Sequence, residues 1–558
     1  MIFRRKVLVL VFSFILLGSG LMTISAKPKK QNKSKTPQKQ TQQQQQKTNT
    51  TTKQTDTKQT STKQTTPQLP SYEPLFSISE VSGANTLGET LTAQQVLEFA
   101  LLYSECPLNS SEAATVLKNF ESIKKEVTSN EYQKMSQQDR GRAVLKLLYR
   151  DYLKKYSKDQ TKLNTAFLTG EYNCVSSALM YMAAAKAAGL TVRGQKTPEH
   201  AFCTVYIEEI GKSSAKKIDV ETTNPYGFSP GSKETIENED NIKRYYVVPK
   251  SNYANRLEVS DKVFTTLIGG NLCADYITRN DYIKAIPLGA ARMALVQSEK
   301  SSAVDSVRRE FEILATNYVS LSTPASINKA AAPGQGVTGT AQKMAVTVDW
   351  FAGFIKKWGL TTNLQNSMDI ALYNLMVLCY QEINYQIASD NYQKCSGYVS
   401  KAQKDKCREL VAEIYILDVT NGLDYQHQIP LLAKILTEND DADSLFSSAQ
   451  VQQKAATYLE RAWAEDLNGY IHRKEYEAGY ERAVLAAQQL PKSSMIQNAK
   501  TSFYSSAIAT VHNNFANAAN KGDSKTAIKI LEDGLKKYPE DPTLKKDLQS
   551  YKKSKGIK

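Results

Sequence analysis

Apolar positions recur at helical intervals over most of the chain and at strand intervals over one short stretch. In residues 71–170, Thr92 with Gln95 forms a capping pattern before VLEFALLYSEC. Ser136 with Asp139 stands in the same relation to RAVLKLLYRDYLKKY, where Val144, Leu145, Leu147 and Leu148 make an apolar stripe. From Cys174 to Ala188 helix formers predominate; Asn173 supplies a cap and Gly189 a left-handed stop. The period then changes to two. In HAFCTVYIEE, His200, Phe202, Thr204 and Tyr206 share one face, while Ala201, Cys203, Val205 and Ile207 share the other. In KKIDVETT, Asp219, Glu221 and Thr223 lie on one face, Ile218 and Val220 on the opposite one. Residues 256–298 return to helix, with Pro287 inside, and the chain is helical in pairs from about 366. The expected fold class is α+β over residues 71–298, a helix with an antiparallel sheet. A linker spans 299–365, and an all-α helical-repeat domain occupies 366–558.

The last two helical units share a phase. Gly479, Ala483, Ala486 and Pro491 have the spacing of Ala527, Leu531, Gly534 and Pro539. Small residues at those intervals let helices approach, and the proline ends the second helix of the pair. The pattern resembles the tetratricopeptide repeat, which implies a stack offering a surface to a protein partner. The linker contains Gly334-Gln335-Gly336-Val337-Thr338-Gly339. It has the glycine spacing of a dinucleotide loop but lacks the preceding strand and the surrounding βαβ unit, so it reads as a flexible loop. No sequence feature calls for a cofactor or a metal.

The N-terminus differs in kind. Arg4, Arg5 and Lys6 precede the apolar run Val7–Leu17, and Ser25 and Ala26 can border a cleavage site. Residues 1–26 therefore read as an export signal, with an uncleaved anchor as the alternative. Residues 27–70 are Gln, Thr and Lys with no apolar face, the composition of a disordered linker. Charge concentrates there. Of the formal +15, Arg4, Arg5 and Lys6 carry +3 and residues 27–70 carry +9, which leaves +3 on residues 71–558. A nucleic-acid partner is excluded by that near balance, whereas the basic tail suits proximity to a membrane or cell wall.

Chemistry concentrates in residues 171–224. Cys174 begins the helix, where unpaired N–H groups and the positive dipole end favour a thiolate and an oxyanion. His200 opens the first strand, and Asp219 on the second is positioned to fix its tautomer. The chain has four histidines, and His200 is the one in its first half; the others are His427, His472 and His512. Asn173-Cys174, His200-Ala201-Phe202 and Ile218-Asp219-Val220-Glu221-Thr222-Thr223 together resemble the transglutaminase-like core superfamily, over roughly residues 90–290. The resemblance implies a papain-like fold with Cys174, His200 and Asp219 as catalytic triad. It implies a cysteine protease, an amidase or an acyl transferase acting on peptide or protein substrates. The Cys174 N–H would serve the oxyanion, with Tyr172 or another residue of the preceding loop as second donor. The competing reading is a non-catalytic envelope scaffold that works through its helical repeats. Seven cysteines leave one unpaired in an oxidising compartment, with Cys174 as the natural free thiol and Cys395–Cys407 as one available bridge.

Overall fold

The computed structural model describes residues 68–209, 214–230, 255–325, 327–437 and 445–557. The expected signal segment, and the linker up to residue 67, lie outside the described residues. Among those described, no helix is long and apolar enough to cross a membrane.

The first half is built around one helix. α1 (Ala93–Tyr103), α2 (Ser111–Val127), the short α3 (Asn130–Lys134), α4 (Gln137–Asp151) and α5 (Leu163–Thr169) precede α6 (Cys174–Ala187). Every residue of α6 from Val175 to Ala185 is buried. A helix that is apolar all round has no solvent face to offer, so it must be enclosed. α1, α2, α4 and α5 pack around it, and its alanines permit close approach. Thr92 and Gln95 form a full capping box at α1, and Ser136 caps α4. Two short parallel strands, β1 (Lys155–Tyr156) and β2 (Glu171–Tyr172), lead the chain to Cys174.

The remaining side of α6 meets a four-stranded antiparallel sheet ordered β5-β4-β3-β6. Its strands are β3 (Thr191–Lys196), β4 (Ala201–Ile207), β5 (Lys216–Val220) and β6 (Leu257–Val259). Cys203 faces α6, its thiol donating to Ala178 O at 3.3 Å. β3 lies so close to α7 (Asp261–Thr265) that a Cβ on Gly194 would fall 2.2 Å from the Phe264 ring.

The expected fold class is corrected here. The described residues are about 67% helical and only 6% strand. A papain-like core needs a substantial sheet as one layer. Here the strands are short, and α6 buries most of its surface against other helices, so helix-on-helix packing forms the core. The helical character expected of the second half extends over most of the described residues.

Residues 299–365 also differ from the expected linker. After α8 (Leu267–Thr278) and α9 (Tyr282–Val296) they contain α10 (Ser302–Ser322) and α11 (Thr340–Trp358). Phe311 of α10 meets Phe354 and Trp358 of α11 at ring separations of 5.0 and 5.1 Å. The two indoles of α11 also hold the chain entering the fold, with Trp350 donating to Pro70 O at 2.6 Å and Trp358 to Tyr72 O at 3.0 Å. The apolar core therefore runs unbroken from Phe76 to Ile414. The glycine loop is pinned rather than flexible. Gly336 N–H donates to Gln381 O at 2.9 Å, and Gly339 and Ala341 N–H donate to the Glu382 carboxylate at 3.1 and 2.8 Å. The anion at this helix start is thus the chain's own Glu382, at the end of α12 (Thr362–Glu382).

Helices then continue as α13 (Tyr385–Cys395), α14 (Lys401–Thr420), α15 (Tyr425–Thr437), α16 (Ala449–Arg473), α17 (Tyr476–Gln489), α18 (Ser494–Asn520), α19 (Ser524–Lys537) and α20 (Pro542–Ser554). Gly479 in α17 lies against Phe503 of α18, and Gly534 in α19 against Val511 of α18. The small residues that share a phase in the sequence mark these crossings.

Candidate active site

Cys174 is the first residue of α6 and is half-buried. Asn173 Oδ1 accepts from Val175 N at 2.9 Å and Ser176 N at 3.1 Å, while Ser176 Oγ accepts from Asn173 N at 3.0 Å. This reciprocal cap consumes the second and third amides of the helix and leaves the Cys174 N–H outside it. Among the described residues nothing accepts that N–H. A half-buried thiol with an unspent amide is a suitable arrangement for an attacking sulfur and a developing oxyanion.

His200 precedes β4 and is 5% exposed. Thr197 turns the chain into position, its N–H and hydroxyl both donating to His200 O at 2.8 and 3.2 Å. The ring stacks over Phe202 at 6.1 Å with 20° between planes. Its Nε2 lies 2.6 Å from Glu221 Oε2. Cys174 lies near enough to act on the ring as well, and it favours the charged form. Burial alone would drive the imidazole toward neutrality. The neighbouring Cys174 and the hydrogen bond and charge of Glu221 outweigh it, and the His200 pKa is pushed up to about 10. The ring is therefore an imidazolium at neutral pH.

The carboxylate expected beside His200 was Asp219, and the strand register overturns that. Thr204 pairs with Asp219 across β4 and β5, four residues from His200. Four residues of strand span about 13 Å, beyond the reach of an aspartate. Asp219 instead accepts from Thr204 Oγ1 at 2.7 Å and pairs with Arg256. Glu221, two residues on and on the same face, carries the carboxylate past the end of β5 to the ring. Its other oxygen, Oε1, accepts from Thr223 N at 3.0 Å and Thr223 Oγ1 at 2.7 Å. The alternation of KKIDVETT offered both residues for this role; only the pairing distinguishes them.

The hydroxyl of Tyr172 is not an oxyanion donor. Tyr149 gives its one proton to Thr222 O at 2.9 Å, so the 3.0 Å contact between the two phenols must use the proton of Tyr172. Tyr172 is fully buried, and that proton is spent.

All seven cysteines are free thiols, Cys395 and Cys407 included, so the bridge between them is not formed. Cys174 differs from the other six, which are buried. Burial raises the pKa of Cys106, Cys203, Cys273, Cys379, Cys395 and Cys407 alike. Among the described residues no three His, Cys, Asp or Glu side chains cluster as metal ligands.

No family model matches the chain, and no curated protein matches it. Among solved structures it is similar to one titled "Crystal structure of menin reveals the binding site for Mixed Lineage Leukemia (MLL) protein". That match has a TM-score of 0.24 and 12% identity, and it covers 74% of this chain and 95% of the other. Similarity at this level carries no argument about the fold or the work of the present chain. What the structure brings together is a helix-start thiol, a buried imidazole and a buried glutamate.

Proposed function

We propose that the protein is a thiol enzyme acting on peptide amides by acyl transfer, with Cys174, His200 and Glu221 as its catalytic unit. The observation that carries the reading is the 2.6 Å contact of His200 Nε2 with Glu221, made by a ring whose charged form Cys174 also favours. The resemblance of residues 171–224 to transglutaminase-like enzymes supports the same reaction class. Cys174 Sγ, as thiolate paired with the imidazolium, attacks the amide carbonyl carbon. The oxyanion draws on the Cys174 N–H. As the C–N bond breaks, His200 delivers its proton to the leaving nitrogen, and a thioester to Cys174 remains. His200, now neutral, deprotonates the acceptor that attacks the thioester, and the thiolate is regenerated. Water as acceptor makes a cysteine protease or amidase; an amine makes a transferase. Glu221 holds the ring orientation and supports its positive charge throughout.

The substrate class is a peptide or protein, and the helical second half supplies surface for holding one. The N-terminal signal belongs to the same proposal, as export to the cell envelope or beyond.

The test is turnover. Purified chain is incubated with a peptide mixture, alone and with an added primary amine, and products are read by mass spectrometry. Hydrolysed or amine-linked products that vanish in Cys174→Ala support the reading. Full product formation by Cys174→Ala, or none by the native chain together with an inert Cys174, leaves the non-catalytic scaffold as the better description.

A further inference from the structure

Thr222 lies between the two residues that hold the imidazole, Glu221 through its Oε2 and Thr223 through Glu221 Oε1, yet it faces neither. Its side chain bonds directly to the helix that Cys174 begins, and its carbonyl reaches the chain before that helix through Tyr149. Thr222 Oγ1 lies 2.9 Å from Ser177 Oγ, three residues after Cys174 on α6. Thr222 O accepts from Tyr149, whose phenol bonds the hydroxyl of Tyr172, two residues before Cys174. The nucleophile is thus straddled in sequence by two contacts that converge on one residue. Thr222, Thr223, Ser177 and Tyr172 are all fully buried, so water cannot replace a lost partner without opening the core.

We propose that Thr222 is a positioning residue. With Ser177 it forms a brace that sets the spacing between the thiol of Cys174 and the Glu221–His200 pair. The inference rests on the acyl-transfer reading and specifies what holds its geometry. β5 ends at Val220, so Glu221 stands beyond the last ladder hydrogen bond of β4 and β5. The ladder therefore selects which carboxylate faces the ring but does not itself bond Glu221, whose N–H goes to Gly227 O at 2.8 Å. The Glu221 Cα is adjacent to that of Thr222, and Ser177 is three helical residues, about 4.5 Å of rise, from Cys174. A single 2.9 Å hydrogen bond thus closes a short loop of covalent structure between nucleophile and carboxylate. The second link, through Tyr149 and Tyr172, resists rotation of the helix start about that bond.

The experiment is the pH profile of iodoacetamide alkylation at Cys174 in the full chain, mapped by mass spectrometry. It is run on the native protein, His200→Ala, Thr222→Val, Thr222→Ser and Ser177→Ala, with thermal unfolding checked for each. Thr222→Val keeps shape but loses the hydroxyl. The expected result is an approximately tenfold fall in labelling rate at pH 6 for Thr222→Val and Ser177→Ala, and a profile moved to higher pH, as weakened support by an indirect partner produces. Thr222→Ser should return the profile to within about twofold of native. A folded Thr222→Val and Ser177→Ala with native profiles overturn the brace and leave the catalytic unit standing. So does a folded Thr222→Ser that behaves like Thr222→Val. If Thr222→Val does not fold, Ser177→Ala decides, since it trims one oxygen from a helix that favours alanine. A native chain in which His200→Ala changes nothing defeats the acyl-transfer reading itself, and the brace with it.

Discussion

His200 Nε2 stands 2.6 Å from Glu221 Oε2, and both side chains are almost wholly withdrawn from solvent. A buried charge is tolerated only when it is paired and hydrogen-bonded. Here the imidazolium is met by Glu221, and Glu221 in turn by the backbone and hydroxyl of Thr223.

That pairing separates two neighbouring carboxylates. Glu221→Gln should reduce the labelling rate of Cys174 at pH 6 by about tenfold or more, because the charge that holds the ring protonated is removed. Asp219→Asn should leave it within about twofold of native, because Asp219 serves Thr204 and a partly exposed Arg256. The reverse ranking in a mapped alkylation assay would return the role to Asp219.

Thiol selectivity is the second expectation. Native protein treated with iodoacetamide near neutral pH should be modified at Cys174 first. The other six thiols are buried, and burial holds each in its neutral form. His200→Ala should slow the Cys174 reaction by tenfold or more, on the order of the loss of an adjacent charge. Equal labelling of Cys174 and Cys395 in the folded protein would contradict this.

Stability should also report the ring. The pKa of His200 rises on folding from an ordinary value near 6.5 to about 10. Between those limits the folded state binds the extra proton, so stability falls as pH rises. The contribution is complete below about pH 6.5 and lost as pH passes through about 10. Urea midpoints measured from pH 6 to 10 should therefore fall more steeply for native protein than for His200→Gln. Parallel curves would show that the proton is not held.

Gly227 tests the seat of Glu221. A Cβ there would fall 1.9 Å from Glu221 O, a backbone atom with no freedom to yield. Glu221 N–H also donates to Gly227 O at 2.8 Å. Gly227→Ala should cost about 1–3 kcal/mol in denaturant unfolding and depress Cys174 labelling together. A variant of native stability and reactivity would mean that this loop adapts freely.

In the helical stack, Gly479 allows α17 to lie against Phe503, where a Cβ would come within 2.2 Å of a ring that is 2% exposed. Gly479→Ala should cost about 1–3 kcal/mol by overpacking while leaving Cys174 labelling unchanged. The expected readout is an earlier thermal transition with a native alkylation profile. Loss of labelling would tie the stack to the site.

Local chemistry was legible in the chain because it depends on neighbours in sequence. Asn173 caps α6 through its own oxygen two and three residues away, Gly189 accepts a left-handed φ, and the alternation of HAFCTVYI assigns faces to β4. With one histidine in the first half, composition alone points to His200 as the candidate base. The equal spacing around Gly479 and Gly534 marked the helix crossings. Other features are set by contacts between distant segments. Asp219 and Glu221 share a face and differ by one strand repeat; the register of β5 on β4 chose Glu221, and no local pattern encodes register. The phenol of Tyr172 was spent by Tyr149, a residue from another helix. Residues 299–365 are polar and glycine-bearing enough to resemble a linker, but Phe311, Trp350, Phe354 and Trp358 find each other only when α10 and α11 pack. The same cause corrected the fold class: alternation shows that strands exist, while the number of helices that bury α6 is decided by packing across the whole chain.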